Sequence, residues 1–288
     1  MHNILVTGSK GQVGSELQEL ADEHKYNFYF TDRDSLDITD KKQIETFVNT
    51  NDINIIINAA AYTAVDKAEE DAVNADSVNH LSVKYLAEIA KEKNIKLIHI
   101  STDYIFDGKN YKPYNEDDTT NPQGIYGTTK LAGETTMQAI KPKNSIIIRT
   151  SWVYSSYGAN FVKTMLRLGK ERDSLGVIFD QVGTPTYAKD LAKAILDIIP
   201  KVSNDRVETY HYSNEGVLSW YDFAKEIMRM AKIECHINPI ETKEYPTPAT
   251  RPHYSLLNKA KIKKEFNIEI PYWKDSLDAC LKTLGERK

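Results

Sequence analysis

Two cysteines in 288 residues, Cys235 and Cys280, are too few for a disulfide framework, which fits a reducing compartment. Basic residues do not outnumber acidic ones: 37 stand against 41, a net charge of −4. That balance excludes the electrostatic footprint of a nucleic-acid binder or of a protein seated on an acidic membrane. No apolar run is long enough to span a bilayer, since the best one is broken by Asn54 and Asn58. The chain enters a strand at Asn3 without the charged, apolar and small-residue order of a secretory leader. Internal repeats and low-complexity segments are absent. These absences lead to an expected cytoplasmic protein with no nucleic acid and no membrane among its partners. What remains is ordinary for a globular chain, 41% apolar and 27% charged, enough for one large domain or two modest ones.

The stretch from Lys96 to Lys130 organises the rest. Leu97-Ile98-His99-Ile100 reads as a buried strand, ending on Ser101-Thr102-Asp103. A loop rich in Asp, Asn and Pro follows, and then Tyr126-Gly127-Thr128-Thr129-Lys130 opens a helix. Tyr126 and Lys130 are thus one turn apart on one helix face. An ammonium near a phenol favours phenolate, so Tyr126 is expected to have a lowered pKa and to serve as a proton donor near neutral pH. The Thr102 hydroxyl, at the end of a strand, can hold the same substrate oxygen. Tyr221 and Lys225 repeat the spacing inside Ser219-Trp220-Tyr221-Asp222-Phe223-Ala224-Lys225, where the aromatics read as core anchors. Spacing alone does not separate the two pairs; the context does.

That context begins with Asn3-Ile4-Leu5-Val6-Thr7 and a glycine loop, Gly8, Gly11 and Gly14, leading into a helix marked by Val13, Leu17 and Leu20. Glycines between a strand and a helix let the backbone approach a pyrophosphate, which the helix N-terminus attracts. A second strand, Tyr26 to Thr31, ends on Asp32, where an acid can bind an adenosine ribose, and Arg33 can instead meet a 2′-phosphate. The pair leaves NAD and NADP both open. Asp37 is placed to reach the adenine side. After the strand from Ile53 to Asn58, the small residues Ala59-Ala60-Ala61 before Tyr62 and Thr63 let a dinucleotide lie close to the chain. Asn79, inside the next helical stretch, is a poor helix former and reads as a functional polar group or as an exposed one.

Alternation of strand and helix over residues 1–150 predicts a doubly wound parallel sheet, a Rossmann-type NAD(P)-binding domain of the α/β class. Cofactor and substrate should meet at its carboxyl edge. Residues 151–288 read mainly as a smaller C-terminal substrate-binding lobe, with some strands returning to the main sheet.

Gly8/Gly11/Gly14, Asn58-Ala59-Ala60, Ser101-Thr102-Asp103 and Tyr126-x-x-x-Lys130 together resemble the extended short-chain dehydrogenase/reductase superfamily. The segments Tyr62 to Glu69, Arg149 to Tyr154, Asn160 to Met165 and Thr247 to Pro252 resemble the dTDP-4-dehydrorhamnose reductase family. That resemblance spans nearly the whole chain and makes the substrate of the C-terminal lobe a nucleotide sugar. It implies NAD(P)H-dependent reduction of the 4-keto group of dTDP-4-dehydro-L-rhamnose to dTDP-L-rhamnose, for cell-surface polysaccharide, with NADPH or alternatively NADH. Carried over by position, Gly11, Gln12, Val13, Asp32, Asp37, Ile38, Ala61, Tyr62 and Thr63 would line the cofactor. Thr102, Asp103, Tyr126, Lys130 and Trp152 would meet substrate or do chemistry. Trp152 stacks on sugar or base, or anchors the core. The fork of Arg251 suits a diphosphate, and Asn160 could bind the same group from a helix start.

Some members of the family dimerise around magnesium held by carboxylates. Glu16 matches one of these positions, but the second falls at or beside Lys189 and the third near Thr283, so no metal site is expected. A homodimer stays open. Two alternatives remain: another nucleotide-sugar reductase, epimerase or dehydratase of the superfamily, the last two with tightly held NAD, and a non-catalytic regulatory subunit. The latter should have lost Tyr126 or Lys130, and both are present.

Overall fold

The computed structural model describes residues 2–287. Runs of β-branched and aromatic residues form β1 (His2–Thr7), β2 (Tyr26–Thr31), β3 (Ile55–Asn58), β4 (Lys96–Thr102) and β5 (Ile146–Thr150). Between them lie α1 (Gln12–Leu20), α2 (Lys41–Thr50), short α3 (Val65–Ala68) and α4 (Ala72–Asp76), α5 (Ser82–Lys93) and α6 (Ile125–Ile140). The second half is a succession of shorter pieces. They are β6 (Val153–Tyr154), α7 (Phe161–Glu171), β7 (Ser174–Ile178), β8 (Val182–Gly183), β9 (Thr186–Tyr187) and α8 (Ala188–Ile198). After these come β10 (Glu208–His211), β11 (Leu218–Ser219), α9 (Trp220–Ala231), β12 (His236–Ile240), α10 (Ala260–Phe266) and α11 (Trp273–Thr283). Among the described residues no helix is long and apolar enough to cross a membrane.

The main sheet runs β2-β1-β3-β4-β5-β10, with every neighbouring pair parallel. Helices cover both faces, which is why β3 and β5 carry unbroken isoleucine runs rather than an alternating pattern. Ile4, Val6, Ile57, Ile98 and Ile146 face α1, α8 and α10 through Leu17, Leu191, Ile195 and Ile262. Leu5, Ile56, Leu97 and Ile147 face the other way, onto Ile44, Leu86, Ile89 and Met137 of α2, α5 and α6. Strand order reverses between β1 and β3, so a crevice opens at their carboxyl ends. Residues of α7, α9 and α11, among them Val162, Phe223, Ile227 and Leu277, build a second core. The two halves interlock: β10 pairs with β5, and α8 packs on α1.

A buried ion pair fixes the helix that carries Tyr126 and Lys130. Arg149 on β5 meets Glu134 on α6 through Nη2–Oε2 at 2.8 Å and Nε–Oε1 at 3.1 Å, with side chains 5% and 1% exposed. Its Nη1 donates to the Glu116 carbonyl at 2.9 Å, and the guanidinium lies 5.4 Å from the Phe106 ring centre. One contact set thereby ties helix, strand and the loop before α6. Removing one partner of such a pair leaves an uncompensated buried charge, at a cost of about 3–5 kcal/mol. Glu134→Ala is therefore expected to lower the urea midpoint sharply, and a midpoint equal to the parent's would show that the pair does not hold α6.

Candidate active site

The glycine loop is shaped by close backbone approach. Gly8 has φ +71°, and a Cβ there would lie 2.7 Å from Ala60 Cα; a Cβ on Gly14 would lie 2.3 Å from the Gly8 carbonyl oxygen. β1 and β3 can therefore deliver their following loops side by side. Gly11 caps α1 with no side-chain acceptor and no acid in the first turn, so the first amides of the helix keep their hydrogen-bonding capacity for an anion. Beside them lies a cavity of about 630 Å³, lined among others by Gly8, Gly11, Asp32, Arg33, Ala61 and Tyr62. Asp37 and Ile38 also line it. Val13, by contrast, packs its side chain into the core and Thr63 is exposed outside the lining, so these two carried-over side chains do not reach the cavity.

Asp32 accepts from the amides of Asp34 and Ser35 and from Ser35 Oγ, and pairs with Lys10. The Lys10 ammonium and these hydrogen bonds hold its carboxyl well below the usual range. Lys10 was not singled out from the sequence, although a cation inside the glycine loop facing a strand-end acid was its visible signal. Asp37 accepts from the amide and hydroxyl of Thr39, which shapes the turn. Gln12 reaches away from the cavity, donating to the Val153 carbonyl at 3.2 Å and accepting from Asn160 Nδ2 at 3.0 Å. Asn79 is buried in a π-helical turn, Ser77–Leu81, where a regular helix was expected. Its amide clamps the Tyr62 backbone on both sides and donates to Thr129 Oγ of α6.

At the end of β4, Thr102 Oγ accepts from the Tyr104 amide at 3.2 Å and donates to Asp103 Oδ1 at 3.1 Å. Tyr126 is buried in one cluster with Tyr62, which lines the first cavity, and Tyr104, which lines a second. Its ring meets Tyr104 edge-on at 5.4 Å. Lys130, 1% exposed, donates to the Ile100 carbonyl at 2.7 Å and stands 3.4 Å from His99 Nε2. Here the sequence expectation is corrected. Burial pushes the phenol up to about 12, with a Thr102 hydrogen bond pulling the other way, because the ammonium is engaged by the strand and not by the phenol. Burial also brings Lys130 down to about 8, against the pull of Glu134. Tyr221 only rims the second core and Lys225 is exposed, so the other pair has no such setting.

The second cavity, about 660 Å³, is lined by Tyr104, Phe161, Val177, Gln181, Trp220 and Arg251 among others. Trp220 stacks on Trp152 with centroids 3.7 Å apart and planes at 14°. Trp220, read from the sequence as a core anchor, lines the cavity, while Trp152 backs it from behind and holds φ +48°. Arg251 forms a two-pronged pair with Asp66 at 2.6 and 2.9 Å, which also accepts from the Ala249 amide. Asn160 is corrected from a ligand candidate to a cap. Its oxygen accepts from the Lys163 amide, its nitrogen donates to Gln12 and Ser155, and it is absent from the lining. Elsewhere, Glu16 is buried and accepts from Ser155 Oγ, Lys189 pairs with Glu19, and no cluster of three metal-ligating side chains occurs among the described residues.

Known proteins resemble this chain over nearly its whole length. The family described as RmlD substrate binding domain matches residues 1–286. The dTDP-4-dehydrorhamnose reductase of Aggregatibacter actinomycetemcomitans is 42% identical over 287 residues, covering 96% of this chain and 97% of that one. The crystal structure of a dTDP-4-dehydrorhamnose reductase from Clostridium acetobutylicum superposes with a TM-score of 0.93 at 42% identity, covering 98% and 99% of the two chains. That of Bacillus anthracis, in complex with NADP, gives 0.93 at 38% identity over 98% and 99%.

Asp103 carries the pH signature of the site. It is 2% exposed, Oδ2 has no hydrogen-bond partner, and burial raises its pKa from 3.8 to about 7. The folded state therefore disfavours the ionised form. Its stabilising contribution is complete below the unfolded pKa and is lost as pH rises through 7, ~4 kcal/mol at most. Asp103→Asn, which cannot ionise, is expected to melt well above the parent at pH 8.5 and level with it at pH 4. An equal difference at both pH values would contradict this burial.

Proposed function

The chain belongs to the RmlD family of dTDP-4-dehydrorhamnose reductases, and we propose that Tyr126, Lys130 and Thr102 carry its reaction, at a cluster that Tyr126 shares with one lining residue of each cavity. The enzyme is an oxidoreductase that reduces the 4-keto group of dTDP-4-dehydro-L-rhamnose to give dTDP-L-rhamnose, with NADPH as cofactor and NADH as the alternative. The observation that supports the assignment of residues is the cluster of Tyr126 between Tyr62 of one cavity and Tyr104 of the other.

The residues present fit a dinucleotide, since the first amides of α1 carry no side-chain cap beside a cavity lined by Gly8, Gly11 and Ala61, and a Cβ on Gly8 or Gly14 would collide with the backbone that shapes this loop. Gly8, Gly11, Gly14, Ala61 and Tyr62 would hold it by backbone proximity, Ile38 by apolar contact, and Asp32 and Arg33, with Lys10, at the adenosine ribose. When bound it supplies the hydride that reaches the keto carbon. Tyr126 and Thr102 donate hydrogen bonds to the keto oxygen, polarising it, and Tyr126 then gives up its proton as charge develops there. A phenol pushed up to about 12 is fully protonated at neutral pH, the state that donation requires. Lys130 brings the positive charge that stabilises the resulting phenolate, and it offers an N–H to the cofactor ribose. Asp103 orients a sugar hydroxyl. Arg251, preset by Asp66, faces the diphosphate, and Trp220 backed by Trp152 offers an aromatic wall to the nucleotide. On this reading residues 1–150 with β10 form the cofactor domain and most of residues 151–288 the nucleotide-sugar lobe.

The direct test is NADPH oxidation with the 4-keto-rhamnose nucleotide; turnover without added NADPH would point instead to an epimerase or dehydratase. Tyr126→Phe is expected to lower kcat by roughly 10²- to 10⁴-fold with NADPH affinity nearly intact. Retention of the parent rate within a few fold would sink the assignment of the acid. The rate should fall as pH rises through about 8, where Lys130 loses its proton. Lys130→Met should be severely impaired at any pH. Lys225→Met should keep both rate and profile, and equal losses in the two lysine variants would overturn the choice between the pairs.

A further inference from the structure

A histidine in the middle of Leu97-Ile98-His99-Ile100 is out of place in a parallel strand buried on both faces. It does not stand alone. In the register of the sheet Thr7 lies beside Asn58, and Asn58 beside His99, on three adjacent strands. Each stands two residues beyond Leu5, Ile56 or Leu97, and so continues the face that α5 and α6 cover. Their polar atoms form a row: Thr7 Oγ to Asn58 Oδ1 2.7 Å, Asn58 Nδ2 to His99 Nδ1 3.1 Å, and His99 Nε2 to Lys130 Nζ 3.4 Å. None of the four residues is more than 1% exposed. At its far end the row touches the cofactor cavity, where the Ala60 amide reaches Thr7 Oγ at 3.4 Å.

We propose that His99 is a positioning residue for Lys130, accepting a hydrogen bond from its ammonium at Nε2, with its tautomer set by Asn58 and Thr7. This rests on the reading of Lys130 given above. A buried ammonium has three N–H groups to place. One goes to the Ile100 carbonyl at 2.7 Å and a second to His99, which leaves the third for the cofactor ribose. Ring and carbonyl together fix the nitrogen from two directions; the carbonyl alone would let it swing. The imidazole is neutral, as burial and the adjacent ammonium both require. A neutral ring has one N–H, so Nε2 accepts only if the proton sits on Nδ1. That proton needs an acceptor, which the Asn58 amide supplies once its two ends are exchanged, oxygen toward the ring and nitrogen toward Thr7, the reverse of the placement with Nδ2 on the ring and Oδ1 on Thr7. The two ends of an amide are nearly isosteric, so the same atomic positions serve. The charged and titratable groups that bear on Lys130 are His99 on β4 and Glu134 on its own helix.

His99→Leu keeps bulk and removes the acceptor, whereas His99→Gln places an amide oxygen near the Nε2 position. The expected result is a loss of kcat of tenfold or more in His99→Leu, with weaker NADPH binding and an alkaline limb moved to lower pH, since the ammonium has lost a stabilising acceptor. His99→Gln should recover the limb and come within about threefold of the parent rate. A purely structural histidine would lower the melting temperature in both variants and leave the limb in place. A parent-like rate and limb in His99→Leu, or no recovery in His99→Gln at equal folded fraction, would overturn the proposal. Should His99→Leu fail to fold, nitrogen-15 NMR of the parent enzyme decides, because a proton found on Nε2 at neutral pH rejects it and one on Nδ1 supports it. Lys130→Met measured alongside separates the two readings. If it is inactive while His99→Leu is normal, only the role of His99 fails; if Lys130→Met is active, the assignment of the lysine itself fails.

Discussion

An ammonium buried under the carboxyl end of a parallel sheet is the constraint around which this protein is arranged. Lys130 is 1% exposed, and a charge so placed must be met by fixed polar groups or give up its proton. β4 meets it with the Ile100 carbonyl and the His99 ring, and the Arg149–Glu134 pair one turn further along the helix keeps α6 against the sheet. The position of Tyr126 follows from the same helix. The parallel strands β1 and β3 bring the glycine loop and the Ala59–Ala61 segment to the same edge as the end of β4, so fold and chemistry share one organising element.

Several groups at this edge work against stability. Asp103 is buried with one oxygen unpartnered, Ser101 and Ser255 have buried hydroxyls without partners, and Trp152 holds a left-handed backbone. Functional sites are where such departures from local rules concentrate, because the atoms left unsatisfied by the protein are those available to a ligand. The surrounding sheet, with isoleucine filling both faces, supplies the stability that tolerates them. Ion pairs here divide by exposure: Arg149–Glu134 is sealed, while Lys10–Asp32 stays at the rim of the cofactor cavity.

Much of this was legible in the sequence, because the fold rests on signals that are local. The apolar run from Ile53 to Asn58 marked β3, the glycine loop marked the turn after β1, and Tyr126 with Lys130 one turn on marked the helix. Long-range encounters were not legible. Nothing near Asn160 shows that its amide will be spent on Gln12 and Ser155, and nothing near Trp220 shows that it will stack on Trp152 and face a cavity. The lowered phenol pKa failed for the same reason. Spacing on a helix brings two side chains to one face, but the Ile100 carbonyl that captures the ammonium belongs to another element. His99 was in view throughout as part of an apolar strand; only the register Thr7–Asn58–His99 shows that it belongs to a polar row.

Lys130 is held as a buried, strand-tethered ammonium before any ligand arrives. The most direct measurement is a pH titration of the Lys130 side chain by nitrogen-15 and carbon-13 NMR in lysine-labelled, ligand-free enzyme, with Lys130→Met providing the resonance assignment. The expected midpoint is near 8, well below the ordinary 10.5. A midpoint at 10.5, with the chemical shifts of a freely rotating solvated lysine, would contradict it.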